Sequence, residues 1–404
     1  ASHCQTMACR DEASPTAAVP HGRTTDLNTP SSDGGGGGRG GGARPPAAAA
    51  SASYQFSDFR IVKKIGSGAS STVFHVMHIS TGFEMAMKCY FRSQFGACDL
   101  MLRQISDEID LHASLAHPNI IGLFGWFTDD VGNVFLVLEL ARCGDVFDLL
   151  NSCVESPARS LGLSEAHAAR SVIRPLAAAV AHMHARGIMH RDIKAENVLL
   201  TDDKLSVKLA DFGFAIDYRR NKTVARLGTL GYMAPEVLRC NAEMRRQLRA
   251  EGKRGYGPEV DCWAIGVLAY EYLVGEAPHT GESLEEMLSQ IDQHLIFLDP
   301  NILHGMSPEA KDFILCCLDL EPTTRITAQE MLSHPWILKH CPANAGASAP
   351  HDLDTLSSAL HRTSPRPTSV VNPAAAAAKH DRIFSRVHSH EWGRRTGHDL
   401  PLIC

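Results

Sequence analysis

The sequence predicts an α+β fold built as two unequal lobes, and three observations predict it. Short runs rich in β-branched and aromatic residues crowd the stretch from Phe59 to Leu138. Longer helical patterns dominate from Asp145 onward. Low-complexity sequence flanks both. The chain has 404 residues, 44% apolar and 21% charged, ordinary for a globular protein. That composition excludes collagen, a coiled-coil rod and a wholly disordered chain. A folded part of about 280 residues can bury roughly three-quarters of its unfolded-chain surface, enough for a substantial core.

Residues 1–55 are expected to form a flexible arm, because Gly34 to Gly38, Gly40 to Gly42 and Ala47 to Ala50 offer little apolar surface to offset ordering entropy. Strands are predicted over Phe59 to Ile65, Thr72 to His78 and Met85 to Tyr90, then a helix through Leu100 to Leu115. Two more strands follow near Leu123 to Thr128 and Val134 to Leu138. The small lobe is thus 56–138, a connecting hinge 139–144, and the larger helical lobe 145–340. Its helical patterns include Ser164 to Arg186, Pro258 to Val274 and Ser307 to Cys317, and they end near Trp336. Asn151 to Leu163 is predicted to be a surface loop, and 341–404, rich in Ala, Pro, Ser and His, a mostly disordered tail. A cleft between lobes is where a ligand would bind.

Lys and Arg number 39 against 45 Asp and Glu, a net charge of −6, which argues against a nucleic-acid partner. No uncharged apolar run approaches the ~18 residues of a membrane span. The best stretch, Ala264 to Gly275, is short and contains Glu271. No secretory signal is visible, so a soluble, intracellular protein is expected, and the start at Ala1 rather than Met leads us to expect a natural start upstream. Twelve cysteines without a CxxC pair point to free thiols in a reducing compartment.

The segment Gly66-Ser67-Gly68-Ala69-Ser70-Ser71-Thr72-Val73 lies between two strand-like runs. Glycines there would let backbone N–H groups approach phosphate oxygens, although a plain tight turn fits the same residues. Lys88 falls inside the apolar run Met85 to Tyr90 and needs a partner if buried. Glu108 is the natural one, with Asp110 a competitor; a snorkelling lysine on an edge strand is the other reading of Lys88. His190-Arg191-Asp192-Ile193-Lys194-Ala195-Glu196-Asn197 offers a proton acceptor, a cation and an amide oxygen. Asp211-Phe212-Gly213 follows and adds a hard carboxylate suited to Mg2+.

These motifs, in this order, resemble the eukaryotic protein kinases over about residues 59–337. Gly228-Thr229, Ala234-Pro235-Glu236, Asp261-Cys262-Trp263 and Arg325 continue the likeness. Among kinases the chain is most similar to the Aurora family, and less so to polo-like and calcium/calmodulin-dependent kinases. His117-Pro118-Asn119-Ile120-Ile121, Leu123 to Phe127, Val134 to Glu139 and Gly228 to Glu236 carry that resemblance.

The resemblance implies a Ser/Thr protein kinase that uses ATP and Mg2+ on protein substrates. Adenine would bond to the Glu139 and Ala141 backbone, with Leu138 as gatekeeper and Ile65, Val73, Ala86 and Leu199 as apolar walls. Gly66 and Gly68 would cover the phosphates. Lys88 would hold the α- and β-phosphates, oriented by Glu108. Asp211 and Asn197 would hold the metal. Asp192 would accept the substrate proton and Lys194 would contact the γ-phosphate. Asp145, Glu196 and Glu271 match positions where basophilic kinases pair with Arg upstream of the target. Lys194 and Thr229 agree with Ser/Thr specificity, and Thr229 is, with Thr223, a candidate regulatory residue. His112, Leu123, His190 and Phe212 would stack as a spine, and Glu236 would pair with Arg325.

The chain also departs from the Aurora pattern. Ala225 stands where a phosphorylatable threonine is usual, which leaves Thr223 as the nearest acceptor, with Arg191 as its expected partner. A loop that needs no phosphate is the other reading. The insert Arg239 to Gly257 is basic and reads as a solvated helix or loop, or as a docking patch. The resemblance further implies a monomer with an activator protein at the small lobe. It also implies a role in cell-cycle, microtubule or cilium regulation from the cytoplasm, or from the nucleus during division. A pseudokinase scaffold is the alternative function.

Overall fold

The computed structural model describes residues 54–342 apart from 69, 96–98, 155–163, 201–206, 254, 282 and 294–304. The expected arm through residue 53 and the tail from 343 lie outside the described residues.

The small lobe is a five-stranded antiparallel sheet of β1 (Phe59–Ser67), β2 (Thr72–His78), β3 (Glu84–Tyr90), β4 (Leu123–Thr128) and β5 (Val134–Leu138). Their order is β1-β2-β3-β5-β4, so β3 is central. That position explains its composition: all of Met85 to Tyr90 is buried, because a central strand covered on both faces cannot alternate apolar with polar. Lys88 therefore sits in mid-sheet, opposite Val73 on one side and Leu136 on the other, and the edge-strand alternative fails. A short helix α1 (Arg92–Phe95) and the longer α2 (Asp99–Ala113) separate β3 from β4. Ile105 and Ile109 of α2 pack with Tyr90, Val134 and Leu136 against the sheet.

The larger lobe begins with α3 (Val146–Val154), which takes up the first four residues of the predicted 151–163 loop; 155–163 lie outside the described residues. The pattern from Ser164 resolves into α4 (Glu165–His167), a π-helical run Ala168–Ile173 and α5 (Arg174–Ala185). Short ribbons β6 (Ile188–Met189), β7 (Val198–Leu200), β8 (Val207–Leu209) and β9 (Ile216–Asp217) follow. The remaining helices are α6 (Pro235–Leu238), α7 (Ala242–Ala250), α8 (Glu259–Val274), α9 (Leu284–Asp292), α10 (Pro308–Cys317), α11 (Ala328–Met331) and α12 (Pro335–His340).

Helix α8 is buried along nearly its whole length, which fits an apolar helix without a polar face. It is the core of the large lobe, and no helix among the described residues is long and apolar enough to cross a membrane. Gly275 ends it at φ 91°, the left-handed cap that glycine adopts without strain. Arg325, fully buried at its side chain, forks onto Glu236 at 2.7 and 3.0 Å, as the resemblance implied. The basic insert forms α7, whose described side chains are exposed except for the half-buried Leu248.

Helices α8 and α10 touch at Gly266. A Cβ there would lie 2.4 Å from the Cβ of Cys317 and 3.0 Å from Leu318 Cδ2. Gly266→Ala must push the helices apart, at a cost of about 1–3 kcal/mol by the overpacking rule. Denaturant titration should show the unfolding midpoint falling accordingly; an unchanged midpoint would mean the contact is slack.

Candidate active site

Two β-ribbons build the site. Ribbon β6–β9 holds the start of the 190–197 loop and the end of the 211–213 loop. Ribbon β7–β8 holds the other ends of both. The two loops are thus clamped side by side, and Asp192, Asn197 and Asp211 come together from distant sequence. Asn119 secures this from beneath: its carbonyl accepts from Leu209 N at 2.9 Å and its amide donates to the Val207 carbonyl at 2.9 Å.

Lys88 is 7% exposed, with its ammonium 2.8 Å from Glu108 Oε1 on α2 and 2.7 Å from Asp211 Oδ1. Glu108, not Asp110, is the partner. Burial alone would lower the lysine's pKa, but the two carboxylates overcome it and hold the ammonium well above its ordinary range. Asp211 answers in kind: burial raises its pKa, and Lys88 with the Gly213 N–H brings it net below the carboxylate norm. Its side chain stays half open to the cleft. Gly213 fits closely here, because a Cβ on it would lie 3.3 Å from Asp211 Oδ1, 3.6 Å from Glu108 Oε2 and 3.8 Å from Lys88 Nζ.

Asp192 is 6% exposed. Its Oδ1 accepts from the Thr229 N–H at 3.0 Å and hydroxyl at 2.9 Å. Asn197 Nδ2 donates to Asp192 Oδ2 at 3.0 Å and to its carbonyl at 2.7 Å. The Asn197 nitrogen is thereby spent on Asp192, and its Oδ1 is the atom of the right chemistry for a hard cation. With the Asp211 carboxylate it forms an oxygen donor pair that fits Mg2+. Lys194 Nζ lies 3.3 Å from Asp192 Oδ2 and donates to the Thr229 hydroxyl at 2.9 Å.

The residues expected to wall the nucleotide differ in exposure. Ala86 is buried, Val73 and Leu199 are half-buried and Ile65 is 44% exposed on β1. Leu138 pairs with both Ala86 and Leu123. The Glu139 side chain turns away to Gly122 N and Lys208, and its N–H donates to the Gly122 carbonyl at 2.8 Å, which leaves its carbonyl and the backbone of Ala141 to line the hinge. Gly66 faces Val73 across the β1–β2 hairpin, and Gly68 N donates to the Ser71 carbonyl at 2.8 Å. The spine stacks: Phe212 lies 4.4 Å from His112 and 5.2 Å from His190, ring centre to ring centre.

Two expected regulatory residues are placed otherwise. Thr223 is 1% exposed and its hydroxyl donates to the Tyr256 carbonyl, while its own carbonyl accepts from Tyr256 N at 3.2 Å. A phosphate on Thr223 paired with Arg191 does not match this arrangement. Arg191 instead donates to the Phe214 carbonyl at 2.6 Å, and its charge acts on Tyr256, whose hydroxyl donates to the Ala225 carbonyl at 2.6 Å. Thr229 is not a detached regulatory site: its hydroxyl bridges Lys194 and Asp192.

Sequence reasoning assigned no role to Asp261 beyond a landmark. Its buried carboxylate accepts from the His190 and Arg191 N–H groups, both at 2.9 Å, and from His184 Nε2 at 2.8 Å. The signal was available as a buried acid among the apolar residues of α8, between Glu259 at its start and Glu271 near its end.

With this geometry in hand, the comparisons with known proteins decide the family. The protein kinase domain model matches residues 59–337. The chain belongs to the protein kinase family. It is 33% identical over 283 residues to an Aurora kinase of Dictyostelium discoideum, covering 70% of this chain and 66% of that one. It is 31% identical to Aurora kinase A-B of Xenopus laevis, covering 70% of this chain and 62% of that one. It is also 36% identical over 282 residues to the phosphorylase b kinase gamma catalytic chain, liver/testis isoform, of Mus musculus, covering 67% of this chain and 64% of that one. The chain thus spans a little under two-thirds of the length of these relatives. Its kinase domain is of the ATP-dependent Ser/Thr type, with Mg2+ as the metal.

Thr229→Ala removes a hydrogen bond to the Asp192 carboxylate and one from Lys194. Steady-state phosphate transfer should fall about ten- to a hundredfold, as for a buried hydrogen bond to a charged group. Thr229→Ser should keep most of the rate. Equal rates for wild type and the alanine variant would remove Thr229 from the catalytic network.

His112 gives a pH prediction. Burial pushes its pKa below the ordinary value near 6.5, against the opposing pull of the Ile121 carbonyl and Glu108. A depressed folded pKa means stability that is complete above the unfolded value and lost as pH falls through the folded one. Thermal unfolding from pH 7 to 5 should therefore show falling stability, at up to about 1.4 kcal/mol per pH unit for one proton. In His112→Gln that slope should flatten by one proton; an identical slope would exclude His112 as a source.

Proposed function

We propose that this chain transfers the γ-phosphate of ATP to Ser and Thr hydroxyls of proteins that carry Arg upstream of the target. The observation behind the Arg preference is an acidic group beside the catalytic loop. Glu196 is exposed within that loop, Asp145 bridges to Leu199, and Glu271 accepts from the Tyr232 hydroxyl. Burial raises the pKa of both Asp145 and Glu271, and the charge of Glu196 adds to the rise in each. Carboxylates gathered beside Glu196 in this way are a ready acceptor for a guanidinium.

In this reading Asp192, held by Asn197 and Thr229, takes the hydroxyl proton, and Lys194 faces the transferring phosphoryl group. Lys88 grips the nucleotide phosphates. Mg2+, when bound, neutralises phosphate charge. The residues otherwise contribute position and electrostatics rather than covalent chemistry. Protein groups from the end of the insert, rather than a phosphate on Thr223, order the activation segment. A monomeric cytoplasmic protein with an Aurora-like role in cell-cycle, microtubule or cilium regulation belongs to the same proposal, supported by the likeness of the catalytic domain.

Transfer from radiolabelled Mg-ATP to a positional peptide library tests it, with Asp192→Asn and Glu196→Gln alongside. Wild type should label Ser/Thr peptides with upstream Arg, Asp192→Asn should label none, and Glu196→Gln should lose Arg preference. Labelling without Arg preference would end the roles of Asp145, Glu196 and Glu271. A wild type that binds ATP but labels nothing would favour the scaffold reading.

A further inference from the structure

Tyr90 lies two residues beyond Lys88 at the end of β3, and strand alternation puts both on one face. Tyr90 is 3% exposed, and its hydroxyl donates to Glu108 Oε2, the oxygen Lys88 leaves unused. The Lys88 ammonium also lies 5.2 Å from the centre of the Tyr90 ring. That ring packs with Ile105 and Ile109, which flank Glu108 on α2, and with Val134 and Leu136 of β5.

We infer that Tyr90 is a positioning residue for phosphate transfer, which fixes Glu108, and through it Lys88 and α2, in the assembled arrangement. Glu108 is 4% exposed, so both of its oxygens need partners within the protein. Lys88 serves Oε1 but is shared with Asp211. Without a second donor, Oε2 would be a buried anionic oxygen left unsatisfied, and outward movement of α2 to reach water would relieve it. The tyrosine hydroxyl removes that incentive. Burial, the largest influence, pushes its own pKa up, so it stays a donor through the working pH range. The assembled position of α2 is then a property of the β-sheet itself and does not depend on an activator protein at the small lobe.

This inference rests on the kinase reading, and its test separates the two. Tyr90→Phe keeps the ring and removes only the hydroxyl. Hydrogen exchange over residues 99–113, read by mass spectrometry on the ligand-free chain, should rise about tenfold, as for loss of a hydrogen bond to a charged group. The unfolding equilibrium should shift by no more than about the same factor. ATP affinity by calorimetry and kcat/KM for ATP should fall by a similar factor. In a Glu108→Ala background, Tyr90→Phe should cost nothing further, because it acts only through Glu108. Unchanged exchange in α2, or losses that multiply in the double variant, would overturn the inference. A wild type that binds ATP without transferring phosphate would remove the kinase reading while the exchange result still decides Tyr90.

Discussion

A single buried ammonium sets the terms for the rest of the molecule. Lys88 is expensive to desolvate, and only well-placed carboxylates offset that cost. The three charged groups come from three places: the lysine from the central strand, Glu108 from α2, and Asp211 from the loop between β8 and β9. Each must be delivered to within hydrogen-bond distance. The centrality of β3, the packing of Ile105 and Ile109 against it, and the two clamped ribbons of the large lobe all meet that demand. The ion cluster spans the cleft, so it is intact only when both lobes and α2 are in place together.

A buried anion does the corresponding work below the cleft. Burial would raise the pKa of Asp261, but His184, His190 and the loop N–H groups bring it net lower and keep it charged. Its hydrogen bonds hold Arg191 at φ 70°, and Asp211 nearby has φ 62°. Two non-glycine residues in this region at one site mark backbone held against its local preference, which only a surrounding network sustains. Gly228 makes room for that network, since a Cβ on it would come within 2.5 Å of the Arg191 carbonyl.

The element order and the catalytic residues were legible because they depend on local pattern: strand alternation, helical period, and acids and amides at fixed spacing. The Lys88–Glu108 choice over Asp110 was legible for the same reason, as a question of helix face. What stayed hidden depends on pairing between distant segments. Thr223 reads as an accessible phosphate acceptor until Tyr256, on the far side of an insert, is seen to take its hydroxyl. Thr229 reads as a specificity marker until Asp192 and Lys194 close around it. Tyr90 reads as one more apolar strand residue, since nothing in its spacing shows that its hydroxyl meets a carboxylate on α2. The glycine segment was ambiguous because a phosphate cover and a tight turn use the same residues.

The placement of Thr229 and Tyr232 ties recognition to chemistry. Thr229 holds Asp192, and three residues on, Tyr232 donates to Glu271 and accepts from Ala195 N in the catalytic loop. Glu196 follows Ala195 directly and raises the pKa of Asp145 and Glu271. The end of the activation segment therefore supports the proton acceptor with one residue and the acidic group with the next turn. Its earlier part is pinned at Thr223 and Ala225 by Tyr256, which also feels the charge of Arg191 beside Asp192. A segment held at both ends in this way cannot shift without disturbing the catalytic aspartate and the acidic group together. Proton transfer and the electrostatics that would select a basic substrate are thus two consequences of one ordered segment.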